Sequence, residues 1–275
     1  MSAYIKGIFD LILGEQNFDG SSLLFTPATF NASLYSYVMT VMNSVIKPIA
    51  YAVLALFCLL ELYQITVRNT DSTRSFEVPF KLMFKTVICK IVVDKSDVIV
   101  SALFDVSSSV ITGIQGVLGT PVYTQSGALV DMDEIIDAMG FGEQLMLALI
   151  ATLLFIGFQV LTIFVTVTIT GRMLEIYVLT AIAPLPLATF PNEHMRNTGI
   201  NFLKYFFAVC LQGALMFLVL SLFKYLTFDP IVNVAAAHDY LSLTLGLFAV
   251  LGDLVVLFLA IKKSGSWAKS ICNAM

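Results

Sequence analysis

Few residues in this chain have the means to do chemistry, and most of them stand where chemistry is costly. Arg172 and Glu175 interrupt a long apolar stretch three positions apart. That spacing makes them neighbours on one helix face, where a cation and a carboxylate can pair. Pro184 and Pro186 follow inside a second apolar run, IYVLTAIAPLPLATFP. Each removes a backbone donor, and in lipid the freed carbonyl must find a partner within protein or in a wet cavity. Asp253 stands alone in apolar sequence from Leu241 to Ile261. A carboxylate at such a depth either faces a helix interface or takes part in an ion's path. Lys81, Lys85 and Lys90 lie beside or between the members of an apolar stripe, Phe80, Phe84, Val87 and Ile91. This is the pattern of a helix in the headgroup plane, with lysines for anionic lipid or a partner.

These residues do not add up to an enzyme site. There is no GxxxxGK[ST] loop to cradle a nucleotide phosphate, no HExxH and no GxSxG. His194 and His238 are far apart in polar loops, and Cys58, Cys89, Cys210 and Cys272 show neither CxxC nor metal-ligand spacing. The cysteines read as small hydrophobes. A non-enzymatic protein without cofactor or metal is the expectation, with energy for any transport supplied by a partner or a gradient.

The elements that must position these residues are membrane helices. Of 275 residues, 58% are hydrophobic and 12% charged, with a mean hydropathy of +0.90. A soluble domain has about twice that share of charge. The apolar runs are long and continuous rather than alternating, which selects helices over a lipid-facing barrel. The fold class is therefore all-α and polytopic. The residues predict about five transmembrane helices, with interfacial helices and a Pro-broken re-entrant hairpin. The spans are predicted at about 41–63, 97–119, 145–170, 202–226 and 241–261.

Residues 1–40 predict an extracytoplasmic segment, with a short amphipathic helix (Tyr4, Ile5, Ile8, Phe9, Ile12) before a turn-rich link. Residues 64–96 hold six basic residues against Asp71, Glu77 and Asp94, which assigns the segment to the cytoplasm as a basic loop. Residues 120–144 are acidic without a basic residue, and Lys262, Lys263 and Lys269 follow the last span. This charge pattern predicts the N-terminus outside, the re-entrant hairpin 171–201 on the cytoplasmic side and a cytoplasmic tail at 262–275. A rival arrangement lays 97–119 on the surface and lets 173–191 cross. It puts Arg172 outside, against the charge rule. Within 97–119, Asp105, Ser107 to Ser109 and the spaced Gly113, Gly116 and Gly119 suit a span packed inside a bundle.

One combination carries a resemblance. An apolar span leads to Arg172, then an aliphatic run to Ala183-Pro184, then a polar turn and Phe202-Leu203-Lys204 opening another long span. With the N-terminal FNASLYSYVMTVMNSVIKPIAYAVLALFCLLELYQ, this resembles the TrbL family of polytopic inner-membrane channel subunits of conjugative type IV secretion systems. The likeness is to its shorter members from Gram-positive conjugative elements. The resemblance implies a multi-pass subunit of the bacterial cytoplasmic membrane that helps form the path for single-stranded DNA with its bound relaxase. It also implies a homo-oligomer that meets other secretion subunits and ATPases, membrane lipids and, transiently, single-stranded DNA. In that role Arg172, Glu175, Pro184, Pro186 and Asp253 become gate or interface residues, and Lys81, Lys85 and Lys90 contacts for lipid or a partner. Two other classes stay open on the residues alone: a secondary transporter coupled through Asp253, and a membrane scaffold or holin-like pore.

Overall fold

A computed structural model describes residues 2–13, 20–68, 77–119, 137, 140–235 and 240–274. His238 and most of the acidic segment 120–144 lie outside the described residues, as does the side chain of Lys81. Among the described residues the regular structure is helical throughout. The α-helices are α1 (Ser2–Leu13), α2 (Pro27–Phe30), α3 (Ala32–Val41), α4 (Lys47–Arg68), α5 (Glu77–Asp94), α6 (Ser96–Leu118), α7 (Phe141–Ile182), α8 (Pro184–Leu187), α9 (Arg196–Ala235) and α10 (Tyr240–Ile271). A π-helical turn, Met42–Ile46, joins α3 to α4.

Four helical stretches among the described residues are long and apolar enough to cross a bilayer: Ala32–Val67, Ser96–Leu118, Phe141–Ile182 and Arg196–Phe223. They overlap four of the predicted spans, and α10 covers the fifth. The chain is thus an all-α, multi-pass membrane protein. Helix boundaries differ from the sequence expectation in two places. The helix through 145–170 does not stop at Thr170 but runs on through Gly171 and Arg172 to Ile182, 42 residues in all. Helix α9 begins at Arg196, six residues before Phe202, so the polar turn is shorter than expected.

The chain divides into two compact units, one of Met1–Leu24, Val110–Gly171 and Gly213–Gly265, the other of Phe25–Ser109, Arg172–Gln212 and Ser266–Met275. In the first unit, Leu147, Ala151, Leu154, Phe158, Leu161, Val165 and Ile169 of α7 are buried at alternating steps of mostly four and three. That is the seam of a helix packed into a bundle. Leu149, Leu153, Ile156, Val160, Ile163 and Val167 stay exposed on the same helix. A helix apolar on both its buried and its open faces belongs in lipid. Helix α1 is docked on protein: Ile5 and Ile8 are buried, and the Tyr4 hydroxyl lies 3.4 Å from Thr152 Oγ1. The Phe164 and Phe258 rings meet at 4.3 Å.

Along α7 the hydroxyls of Thr152, Thr162, Thr166, Thr168 and Thr180 each donate to the carbonyl four residues back. In the second unit, Thr26 and Asn31 cap α2 and α3 with their side chains. The Tyr177 hydroxyl donates to the Pro27 carbonyl at 2.6 Å, fastening that capped segment to α7.

Candidate functional site

The proline-bearing stretch is the best-supported feature of the second unit. Pro184 and Pro186 do not kink a long helix from within; they sit in the first turn of α8, with Pro184 at its first position. A proline there forfeits a donor that had no intrahelical partner anyway. The following carbonyls are used. The Ala188 amide reaches Pro184 O, and both the amide and the hydroxyl of Thr189 donate to Pro186 O. Buried Asn192 then accepts from the amides of His194 and Met195 and leads the chain into α9.

This break is held by packing. Leu187 and Ala188 are fully buried against Ala50 and Leu54 of α4 and Cys89 and Val93 of α5. Gly199, on the first turn of α9, allows the return: a Cβ there would lie 2.8 Å from the Pro186 carbonyl oxygen and 2.7 Å from the Phe190 ring. Sequence reading passed over Gly199, whose only local signal is a glycine beside a proline-rich turn. It also passed over Glu61. The Glu61 side chain is only 6% exposed, and one oxygen accepts from Lys85 Nζ at 3.0 Å. The other oxygen accepts from the Glu193 amide at 3.3 Å. One carboxylate therefore ties α4, α5 and the turn after α8 together. Lys85, expected to be free for lipid or a partner, is engaged here, while Lys90 is exposed.

The expected Arg172–Glu175 pair does not form. The Glu175 carboxylate accepts from the Tyr205 hydroxyl of α9, and the Tyr205 ring also receives Lys269 Nζ 4.8 Å from its centroid. Arg172 is buried beside Met173, with one terminal nitrogen 3.6 Å from the thioether sulfur. Its Nε and the other terminal nitrogen have no hydrogen-bond partner. Nearby in the same core, Ser107 of α6 donates to the Cys210 carbonyl of α9 at 2.6 Å. A guanidinium held this way leaves donors unmet, and burial makes that expensive. The local i, i+3 spacing was legible; the competing tyrosine thirty residues on was not.

Asp105 lines a cavity of about 180 Å³ together with Tyr35, Asp97, Ser101, Phe104 and Thr180. Lys47 stands 3.7 Å from Asp97. Asp253 belongs to the other unit and is half-buried on α10. Among the described residues, no group of three or more metal-ligating side chains comes together.

A family model described as TrbL/VirB6 plasmid conjugal transfer like protein matches residues 19–184, from the segment before α2 to the first proline of α8. No curated protein and no solved structure matches the chain.

Proposed function

The chain belongs to the TrbL/VirB6 plasmid conjugal transfer family, and from that premise we propose that it helps form the path by which single-stranded DNA and its relaxase leave the donor cell. Family membership makes it a membrane subunit of conjugal transfer by type IV secretion, associated with other components of that machine. The finer role rests on one observation, the buried Arg172 with two unmet nitrogens in a chain of this family. A subunit that is complete by itself has no use for such a group. Its nitrogens lie inside the chain's own core, so a partner can meet them only where the packing around Arg172 opens, and a homo-oligomer whose subunits meet at that opening is the assembly this reading takes.

In this reading the protein is not an enzyme and binds no cofactor. The assembly and coupling ATPases supply the work, and the Pro184–Pro186 break works as the gate element with Arg172 and Glu175 beside it. Exposed Lys90 is available to anionic lipid or, transiently, to the DNA backbone, where each basic contact adds salt-dependent attraction. The location is the bacterial cytoplasmic membrane, with the lysine-bearing C-terminus inside. The side of the N-terminus follows from the number of crossings; five would put it outside.

The test is an in-frame deletion in the donor, complemented by the wild-type chain. Loss of transfer restored by complementation is expected, and transfer at the parental frequency without the protein would remove the proposal. Purified chain in liposomes that moves a proton or metal ion unaided, with loss on Asp253→Asn, would instead favour a transporter.

A further inference from the structure

The cavity beside α6 lies wholly in the second unit, and its floor and rim differ in kind. The floor is apolar: Val100 and Phe104 of α6, Ile176 of α7 and Phe206 of α9 are each at most 4% exposed. Thr180, buried with them, already donates its hydroxyl to the Ile176 carbonyl. The rim is polar and open. Ser101 and Asp105 are exposed there, and Asp97 and Tyr35 are half-buried.

Thr26, Pro27 and Ala28 close the remaining side. Thr26 caps α2 by accepting from the Thr29 amide at 3.2 Å, and the Pro27 carbonyl accepts from the Tyr177 hydroxyl. This wall is tied in place by the fold itself, so little ordering entropy is left to oppose a ligand. The two carboxylates at the rim are not equivalent. Asp97 has Lys47 Nζ at 3.7 Å. Ser109 donates to the Asp105 backbone carbonyl, but the Asp105 carboxylate has neither hydrogen bond nor ion pair among the described residues. Asp105 stands well inside α6, a helix long and apolar enough to cross a bilayer. A lone charge in such a helix calls for a partner or a wet cavity.

Size, charge and lining together define the occupant. An apolar cavity of about 150 Å³ takes a benzene ring, and this one measures about 180 Å³. A metal ion is a poor match, because the floor is hydrocarbon apart from Thr180. No group of three or more metal-ligating side chains forms among the described residues. An anion is repelled by the rim, and a neutral apolar group leaves Asp105 bare. From this geometry we infer that the cavity binds an amphipathic monocation, with an apolar group of about one ring against Phe104 and Phe206 and an ammonium or guanidinium at its end beside Asp105. Such chemistry is carried by a free amine or by an apolar and a basic residue side by side on another subunit. The inference concerns the folded chain and not its role in transfer, so a chain dispensable for transfer leaves it standing.

The experiment is calorimetric titration of the detergent-solubilised full chain with benzylammonium, its neutral counterpart benzyl alcohol and the anion benzoate, each corrected against protein-free detergent. Benzylammonium should bind about tenfold more tightly than the alcohol or better, the scale of a charge-assisted hydrogen bond. Benzoate should not bind. Asp105→Asn, at an exposed position, should bring the ammonium down to the alcohol's affinity and leave the alcohol's unchanged. Ala28→Trp, also at an exposed position, fills the mouth while keeping Asp105 and should abolish binding of both. Equal affinity of the parent chain for ammonium and alcohol overturns the inference, as does undiminished ammonium binding by either variant. The source is read with a photo-reactive benzoylphenylalanine at exposed Ala102, irradiated in intact cells. A polypeptide adduct lost on Asp105→Asn assigns the cation to a partner's side chain. Binding by the purified chain without such an adduct assigns it to a free amine.

Discussion

The ion pair between Glu61 and Lys85 offers the sharpest test of how the proline break is held. The Glu61 side chain is 6% exposed and that of Lys85 34%. Lys85→Met leaves a buried carboxylate with only the Glu193 amide, and Glu61→Leu leaves an ammonium and that amide without their acceptor. Breaking a fully buried pair from one side costs about 3–5 kcal/mol. Because a third of Lys85 is open, each single substitution here should cost nearer ~2–4 kcal/mol. Removing both charges leaves an apolar contact between α4 and α5 and strands only the Glu193 amide, so the double variant should lose about 1–2 kcal/mol relative to the parent. The coupling then exceeds ~2 kcal/mol. Denaturant unfolding of the detergent-solubilised protein, followed by circular dichroism, measures all four corners of the cycle. Costs that simply add would show that the two side chains are near each other without depending on each other, and the account of Glu61 as the tie would be wrong.

Gly199→Ala should lower stability by about 1–3 kcal/mol, since the carbonyl it strikes belongs to backbone that cannot rotate away; an unchanged thermal midpoint would refute the close approach. Arg172→Leu should raise the unfolding free energy of the isolated chain by about 1–3 kcal/mol for the donors no longer stranded, while abolishing transfer. Normal transfer by that variant would show that Arg172 has no partner to meet. Pro184→Ala together with Pro186→Ala should leave membrane insertion intact, judged by carbonate extraction, and reduce transfer; wild-type transfer would make the prolines packing detail.

Much of the fold was legible because lipid imposes a simple rule on sequence. The uncharged run from Leu145 to Thr170 can hardly be anything but a span, and the spacing of Phe80, Phe84, Val87 and Ile91 marks the one exposed face they share in the fold. What misled was the habit of treating polar residues as punctuation. Gly171 and Arg172 look like the end of a helix, yet a glycine with open space around it and an arginine absorbed into a core interrupt nothing. The true stop is at Ala183, where the chain meets proline. Partners far apart in sequence stayed invisible: Glu175 to Tyr205, Glu61 to Lys85, Pro186 to Gly199. Local spacing proposes which groups can meet, and the tertiary fold then chooses among them.

The threonines of α7 have a mechanical meaning. Because Thr162, Thr166 and Thr168 turn their hydroxyls back on their own helix, those groups cost little in hydrocarbon. Friction along this middle stretch is then a matter of shape, while the bonds that Thr152, Glu175 and Tyr177 share with Tyr4, Tyr205 and Pro27 are what any sliding of the helix would first have to break.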